Sequence, residues 1–278
     1  MTFGKNLWAA ALPGPKTRRW AAGVGALLIL VASSAPAVVA ENAKIARHRA
    51  AQRTTFTDAE IIDGFFKVTL GAEFHVAGGV DRIRKYDQPI RVYVDNRAKP
   101  DRTTQVAAVI ADVRARIRDL DIARTDKREE AQIVVSLVHD RDLARMIRTL
   151  YGINRARRIQ RALEPQCLSG FRKDEESRIL HSDVLIVADA GDFVFYDCIY
   201  EELLQALGPI NDDTTVPWTM FNDDVRMGFF DLYDQYLLNI LYDRRVKAGM
   251  TRAEVEKLLP EILPQVRAWV DENNKPAP

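Results

Sequence analysis

This chain has few histidines, few cysteines and no large excess of positive or negative charge, and each of these features argues against a class of function. The 278 residues include 4 histidines and 2 cysteines, and Lys and Arg exceed Asp and Glu by one. No histidine has a second ligand at zinc-site spacing, whether His48, His75, His139 or His181. The balanced charge argues against a nucleic-acid-binding surface. The chain also lacks a G-x-S-x-G nucleophile motif and a glycine-rich phosphate loop.

The first 40 residues have the order of a secretory signal. Their basic residues, with no acidic residue among them, are Lys5, Lys16, Arg18 and Arg19. An apolar run follows over residues 20–31, and small residues continue to Ala40. A retained anchor is the alternative, because residues 20–40 carry no charge and about 20 apolar residues span a bilayer. Pro36 favours cleavage, so we expect an exported protein, periplasmic or secreted.

The rest of the chain is expected to form one domain that contacts the membrane only if residues 20–40 stay attached. That domain would then lie outside the cytoplasm. Without residues 1–40, Lys and Arg fall from 40 to 36 against 39 Asp and Glu, so the remainder has a charge of −3. Residues 41–57 are polar and basic and indicate a flexible lead-in. We expect the domain over residues 58–272 and a polar tail over residues 273–278.

The two cysteines, Cys167 and Cys198, are expected to form a disulfide, because exported proteins mature in an oxidising compartment. The bond would close a loop of about 30 residues and contribute on the order of 3 kcal/mol. A pair of buried thiols is the alternative. Neither cysteine has a C-x-x-C partner or a nearby histidine, so no zinc site is expected on them.

Periodicity predicts that helices and strands alternate, in an α/β or α+β fold. Helical spacing occurs over residues 58–70, 102–120, 140–163 and 229–242, and again from Thr251 to 271. Strand patterns occur over residues 89–95, 131–139 and 183–188. We expect residues 193–196 to extend the sheet, a helix to begin at Asp197 or Cys198, and residues 209–228 to form a loop.

That helix carries the pattern that points to chemistry. Residues 201–211 read E-E-L-L-Q-A-L-G-P-I-N, against the zinc-peptidase pattern H-E-x-x-H-x-x-G-x-x-H. In that pattern two ligands at i and i+4 share a helix face, and the glutamate after the first ligand is the general base on metal-bound water. Here Glu202 holds the base position and Gly208 the turn position. The three ligand positions hold Glu201, Gln205 and Asn211.

The segment resembles the active-site helix of the metzincin metallopeptidases with every zinc-binding histidine replaced. Met220 falls where metzincins have their methionine turn, and Asp234 lies in a stretch that resembles their closing helix. The resemblance implies an α+β, zincin-like single domain with a mixed sheet, an active-site-type helix and a C-terminal helix. Each piece alone is also what helix capping and core packing produce.

The chain also resembles a bacterial exported family of unknown function that is marked by E-E-x-x-Q-x-L-G-x-x-N-D. The matching positions lie around Cys167 and Cys198, in the motif itself, and over residues 221–223 and 241–250. This resemblance covers residues 160–250 and extends, more weakly, back to residue 60. It implies no established activity, so the function has to be argued from the residues.

Oxygen ligands fit zinc poorly, so we expect no zinc cofactor and no zinc peptidase activity. A calcium or magnesium site is the alternative, with Asp212 and Asp213 adjacent to the motif. Without a metal, we expect Glu201, Gln205 and Asn211 to form a hydrogen-bonded cluster.

The leading hypothesis is a protein that binds a peptide or protein segment in the ancestral cleft, between the motif helix and the strand over residues 183–188. One alternative is a working hydrolase with Glu202 as general base and an oxygen-liganded cation or no metal. Another is a structural envelope protein. A basic helix face is either solvated or contacts an anionic partner, and it consists of Arg155, Arg157, Arg158 and Arg161.

Overall fold

A five-stranded mixed sheet forms the centre of the protein in a computed structural model that describes residues 42–71, 81–162, 166–209 and 211–275. The strands are β1 (Ile90–Asn96), β2 (Ile122–Arg124), β3 (Ile133–Val138), β4 (Cys167–Lys173) and β5 (Ile179–Val187). Their order is β2-β1-β3-β5-β4; the first four are parallel and β4 is antiparallel to β5. Among the described residues, β2 and β4 are therefore the edge strands.

Eight α-helices surround this sheet in the described part of the chain. They are α1 (Ala43–Ala51), α2 (Asp58–Thr69), α3 (Thr103–Arg116), α4 (Asp140–Ala162), α5 (Asp192–Gln205), α6 (Leu232–Tyr242), α7 (Arg252–Glu256) and α8 (Leu259–Asn273). The larger apolar core packs one sheet face against α2, α3, α5, α6 and α8, whereas α4 covers Leu168, Leu185 and Val187 on the other face. The fold is α+β, and residues from Glu41 onward form one compact unit.

Helix and strand positions agree with most of the sequence-based expectations, with two corrections near the motif. Residues 193–196 do not extend the sheet, and the motif helix does not begin at Asp197 or Cys198, because α5 already begins at Asp192. Their apolar pattern imitates a strand, but Phe195, Ile199 and Leu203 are buried at helical spacing on one face. Strands β2 and β4 were not predicted at all.

The strand expected beside the cleft is an inner strand. Residues 183–188 fall mostly in β5, which pairs with β3 on one side and β4 on the other. Its backbone groups are therefore used within the sheet, and an added strand has no place on it. Among the described strands, the one with an outer edge next to α5 is β4. A cleft beside residues 183–188 stays a prediction, and a peptide added as a strand there would have to pair with β4.

The expected lead-in and the long helix α4 also differ in detail from the sequence-based expectations. Residues 43–51, inside the expected flexible lead-in, form α1, and Ile45 on this helix is buried in the core. Helix α4 is interrupted at Gly152, whose φ is 74°. No helix in the described ranges is long and apolar enough to cross a membrane. The uncharged stretch of residues 20–40 and His75 lie outside the described residues.

Gly208 makes the turn that ends the motif helix. Its N–H donates to the carbonyl of Gln205 at 2.9 Å, and its φ is 144°. A Cβ at this position would lie 2.3 Å from the backbone oxygen of Arg84. The turn thus depends on glycine both for its backbone angle and for close approach of the segment after α2.

We expect Gly208→Ala to destabilise the fold by about 3 kcal/mol, through a left-handed backbone and a backbone clash. The matched control is Gly191→Ala at the other end of α5, where φ is 91° and no atom lies within 4 Å of the added Cβ. That change should cost only about 1 kcal/mol. Urea denaturation measures both. Equal losses would contradict the role assigned to the Arg84 contact.

Candidate functional site

Two contacts attach the edge strand β4 to the motif helix α5. Cys167 and Cys198 form a disulfide with an S–S distance of 2.03 Å, which confirms that prediction. Two residues along the strand, on the same face, the hydroxyl of Ser169 donates to Gln205 Oε1 at 3.2 Å. One covalent bond and one buried hydrogen bond therefore fix β4 against the helix that carries the motif.

Gln205 links three parts of the site. Its carbonyl accepts from Ser169, and its Nε2 donates to Asp212 Oδ1 at 3.0 Å. The side chain is 6% exposed, so both amide groups are satisfied inside the protein. The amide at the second ligand position thus joins the helix, the edge strand and the loop that follows Gly208.

Three carboxylates meet beside this amide. One oxygen each of Glu201, Asp212 and Asp223 lies within 4.8 Å of the others. Burial raises the pKa of Glu201 well above its usual range, and the charge of Glu202 and then of Asp212 raises it further. We refer to Glu201, Asp212 and Asp223 as the carboxylate cluster. It offers hard oxygen ligands of the kind that calcium and magnesium use.

Asn211 is held by a different element. Its Nδ2 donates to the carbonyl of Lys67 at 2.8 Å, and its backbone N–H donates to the carbonyl of Val68 at 3.3 Å. The residue at the third ligand position therefore anchors the loop to the end of α2. Asp212 is the residue that contacts Gln205, in place of the expected Asn211.

Asp213, the other acidic residue considered for a cation site, serves its own loop. Its Oδ1 accepts from the backbone N–H of Thr215 at 2.9 Å, and its own N–H donates to Phe221 O at 2.9 Å. Asp223, which the sequence reasoning did not single out, supplies the third carboxylate. No spacing rule connects Asp223 to Glu201, since the loop path alone brings them together.

Glu202, the general base position, points into the protein. Its side chain is 6% exposed, whereas that of Glu201 is half-buried. Burial, followed by the charges of Asp183 and Glu202, raises the pKa of Tyr151 on α4. Glu202 is therefore part of a buried polar region that extends towards α4.

Asp234 supports the turn at Met220. Its Oδ2 accepts from the backbone N–H of Met220 at 2.8 Å, and its Oδ1 accepts from the hydroxyl of Thr219. Asp231, the N-cap of α6, is buried beside it. Burial and the charge of Asp231 raise the pKa of Asp234 well above its usual range. Two adjacent buried carboxyls do not both ionise readily, so the pair retains a proton.

Because the pKa of Asp234 is raised in the folded protein, we expect the contribution of the Asp231–Asp234 pair to the free energy of unfolding to fall as the pH rises. A carboxyl whose folded pKa is raised contributes its full stability below the unfolded value, about 3.9, and loses it as the pH rises through the folded pKa. Asp234→Asn should remove this pH dependence. The measurement is the midpoint of thermal unfolding at a series of pH values. The control is Asp126→Asn, an exposed aspartate 85% accessible. An unchanged pH slope in Asp234→Asn would contradict the assignment.

Comparison with known proteins identifies a family without an assigned activity. No curated protein and no solved structure matches the chain. A match to the family described as "Protein of unknown function (DUF2927)" spans residues 58–261. That range contains the sheet, the motif helix, the carboxylate cluster and the Asp231–Asp234 pair. The chain therefore belongs to the DUF2927 family.

Proposed function

We propose that this protein is an exported, zincin-like binding protein that holds an extended peptide or protein segment along the outer edge of β4 and has no zinc peptidase activity. The observation that carries the proposal is the attachment of β4 to α5. The motif helix and an available strand edge are thereby placed together, which is the arrangement that the metzincin resemblance implies for a substrate cleft.

The hydrogen-bond register indicates which backbone groups of β4 face outward. Val187 N–H donates to the carbonyl of Gln166 at 3.1 Å, and Cys167 lies opposite Ile186. Because hydrogen-bonded pairs alternate in an antiparallel ladder, residues 168, 170 and 172 point their backbone groups at β5. The N–H and C=O groups of Cys167, Ser169 and Phe171 face the other side, where a peptide strand would pair.

Attachment to α5 also favours binding through pre-organisation. An edge strand that frays has to be ordered when a ligand pairs with it, and that ordering weakens binding. The disulfide at Cys167 and the hydrogen bond at Ser169 hold two of the three outward-facing residues in place before any ligand arrives.

The donor set does not fit zinc. The three ligand positions offer a carboxylate and two carboxamides, and the amides of Gln205 and Asn211 are already engaged with Ser169, Asp212 and Lys67. Zinc sites in proteins are built from Cys and His with few oxygen ligands. The amides at these positions are thus engaged within the protein and are not free to hold a zinc ion.

A cation-dependent hydrolase is the second candidate, and the carboxylate cluster is the observation that favours it. Three carboxylates within 4.8 Å would repel one another unless a proton or a cation lies among them. Glu202 would then be the base, although its burial separates it from solvent. Peptide hydrolysis that is lost in Glu202→Gln would support the hydrolase over the binding protein.

We expect no stoichiometric zinc in the purified exported protein, measured by inductively coupled plasma mass spectrometry. Glu201→His/Gln205→His should create zinc affinity, because two imidazoles at i and i+4 would join Asp212 in a zinc-type set. Glu201→His alone, with a single imidazole, is the matched control. Zinc at one per chain in the wild type would overturn the proposal. A folded double variant without zinc affinity would count against a zincin-like backbone.

Peptides selected from a random displayed library should bind with an alternating protection pattern. Hydrogen exchange should slow at the amides of Cys167, Ser169 and Phe171, while residues 168, 170 and 172 are already protected by β5. In Cys167→Ser/Cys198→Ser the strand is less constrained, so the affinity should fall by about tenfold, equivalent to about 1.4 kcal/mol. Protection confined to other surfaces, with β4 unchanged, would refute the edge site.

A further inference from the structure

A groove of about 740 Å³ lies away from β4, between α1 and the loop that precedes α6. Its lining includes Lys44 and Arg47 from α1, Trp218 and Arg226 from the loop, Phe56, and Asp231 at the start of α6. The binding function proposed above makes no use of it. The groove combines cationic groups at its rim with aromatic walls, which is the composition of a small-molecule site.

The basic side chains that line this groove, Arg53 among them, differ in whether they form an ion pair. Arg53 is engaged, because both of its terminal nitrogens donate to the carboxylate of Glu60, at 2.8 Å and 3.0 Å. In the described part of the chain, Lys44, Arg47 and Arg226 form no ion pair, and all three are exposed. Among the described residues, three of the four Lys and Arg side chains that line the groove are therefore not paired with a carboxylate, and the ammonium group of Lys44 lies 3.6 Å from the centroid of the Phe193 ring.

Lys44 on α1 and Arg226 on the loop before α6 both lie close enough to Asp197 to influence its pKa. Burial raises the pKa of Asp197, and the charges of Arg226 and Lys44 are among the effects that lower it. Asp197 Oδ1 accepts from the backbone N–H groups of Met227 and Gly228, at 2.7 Å and 3.2 Å. The α1 side and the loop side of the groove therefore converge here, while the carboxylate that they share is committed to the loop backbone.

We propose that this groove binds a ligand that carries a phosphate group together with an apolar or aromatic part. The two guanidinium groups and the ammonium group outnumber the exposed carboxylate of the lining, Asp224, because Asp231 is buried. Guanidinium groups match phosphate oxygens in bidentate geometry. Trp218 is half-buried and provides the surface for the apolar part, whereas Phe56, 6.3 Å away between ring centroids, is buried. The exposed carboxylate of Asp224, also in the lining, can accept a hydrogen bond from a hydroxyl of the ligand.

Two kinds of ligand carry a phosphate group together with an apolar part: a phospholipid, through its headgroup, and a free phosphorylated small molecule. The lipid source is relevant because α1 begins at Ala43, just after the uncharged run of residues 20–40. Basic residues close to a membrane segment are attracted to anionic headgroups. Glycerol phosphate represents the free source, because it has the same phosphate and hydroxyl groups without acyl chains.

The test uses the exported protein in three forms: the wild type, the groove variant Arg47→Gln/Arg226→Gln, and the control Arg141→Gln/Arg148→Gln. The control removes the same charge from exposed positions on α4. Calorimetric titration with glycerol phosphate forms one arm. Co-sedimentation with phosphatidylcholine vesicles, with and without phosphatidylglycerol, forms the other.

The groove variant should lose at least about tenfold in affinity in whichever arm shows binding, because each guanidinium makes a charge-assisted hydrogen bond. The control should change by less than about twofold. Binding of glycerol phosphate identifies the free source, and binding only to vesicles with phosphatidylglycerol identifies the lipid source. Absence of binding in both arms, or an equal loss in both variants, would overturn the proposal.

Discussion

The attachment of β4 to α5 is the constraint on which the rest of the site depends. An edge strand is hydrogen-bonded on one side only and is prone to fray or to pair with another chain. Here the Cys167–Cys198 bond holds the beginning of the strand, and the Ser169–Gln205 hydrogen bond holds its middle. Since Gln205 also donates to Asp212, the loop after Gly208 is positioned through the same side chain. Strand, helix and loop therefore share one fixed arrangement.

Burial of carboxyl groups has opposite consequences in the two acidic regions of the protein. In the Asp231–Asp234 pair the carboxyls are fully enclosed, and Thr219 and Met220 donate hydrogen bonds to Asp234, so the pair acts as a structural support. In the carboxylate cluster Glu201 is half-buried and Asp223 is exposed, so solvent and ions have access. The first region is suited to stability, and the second is suited to contact with a ligand or a cation.

Sequence reasoning located the motif helix, the turn glycine and the disulfide, because each depends on local spacing or on compartment chemistry. It missed β4, whose residues 167–173 read C-L-S-G-F-R-K. The strand has few apolar residues: Cys167 and Ser169 contact α5 through a disulfide and a hydrogen bond, and the end of the strand is exposed. It also missed Asp223, since no helical or strand period relates that residue to Glu201. Both depend on tertiary contacts that a single sequence does not encode locally.

The hydrogen bonds of Gln205 join the segments that a zinc ion would join in the proposed zincin-like arrangement. A metal ion in such a site joins its ligands from separate segments into one rigid unit. Here a neutral amide performs the joining, because it has both an acceptor for Ser169 and a donor for Asp212. Asn211 makes the corresponding link to α2 through the carbonyl of Lys67. The segments are thus joined by hydrogen bonds, and Asp212, a member of the carboxylate cluster, is one of the groups that join them.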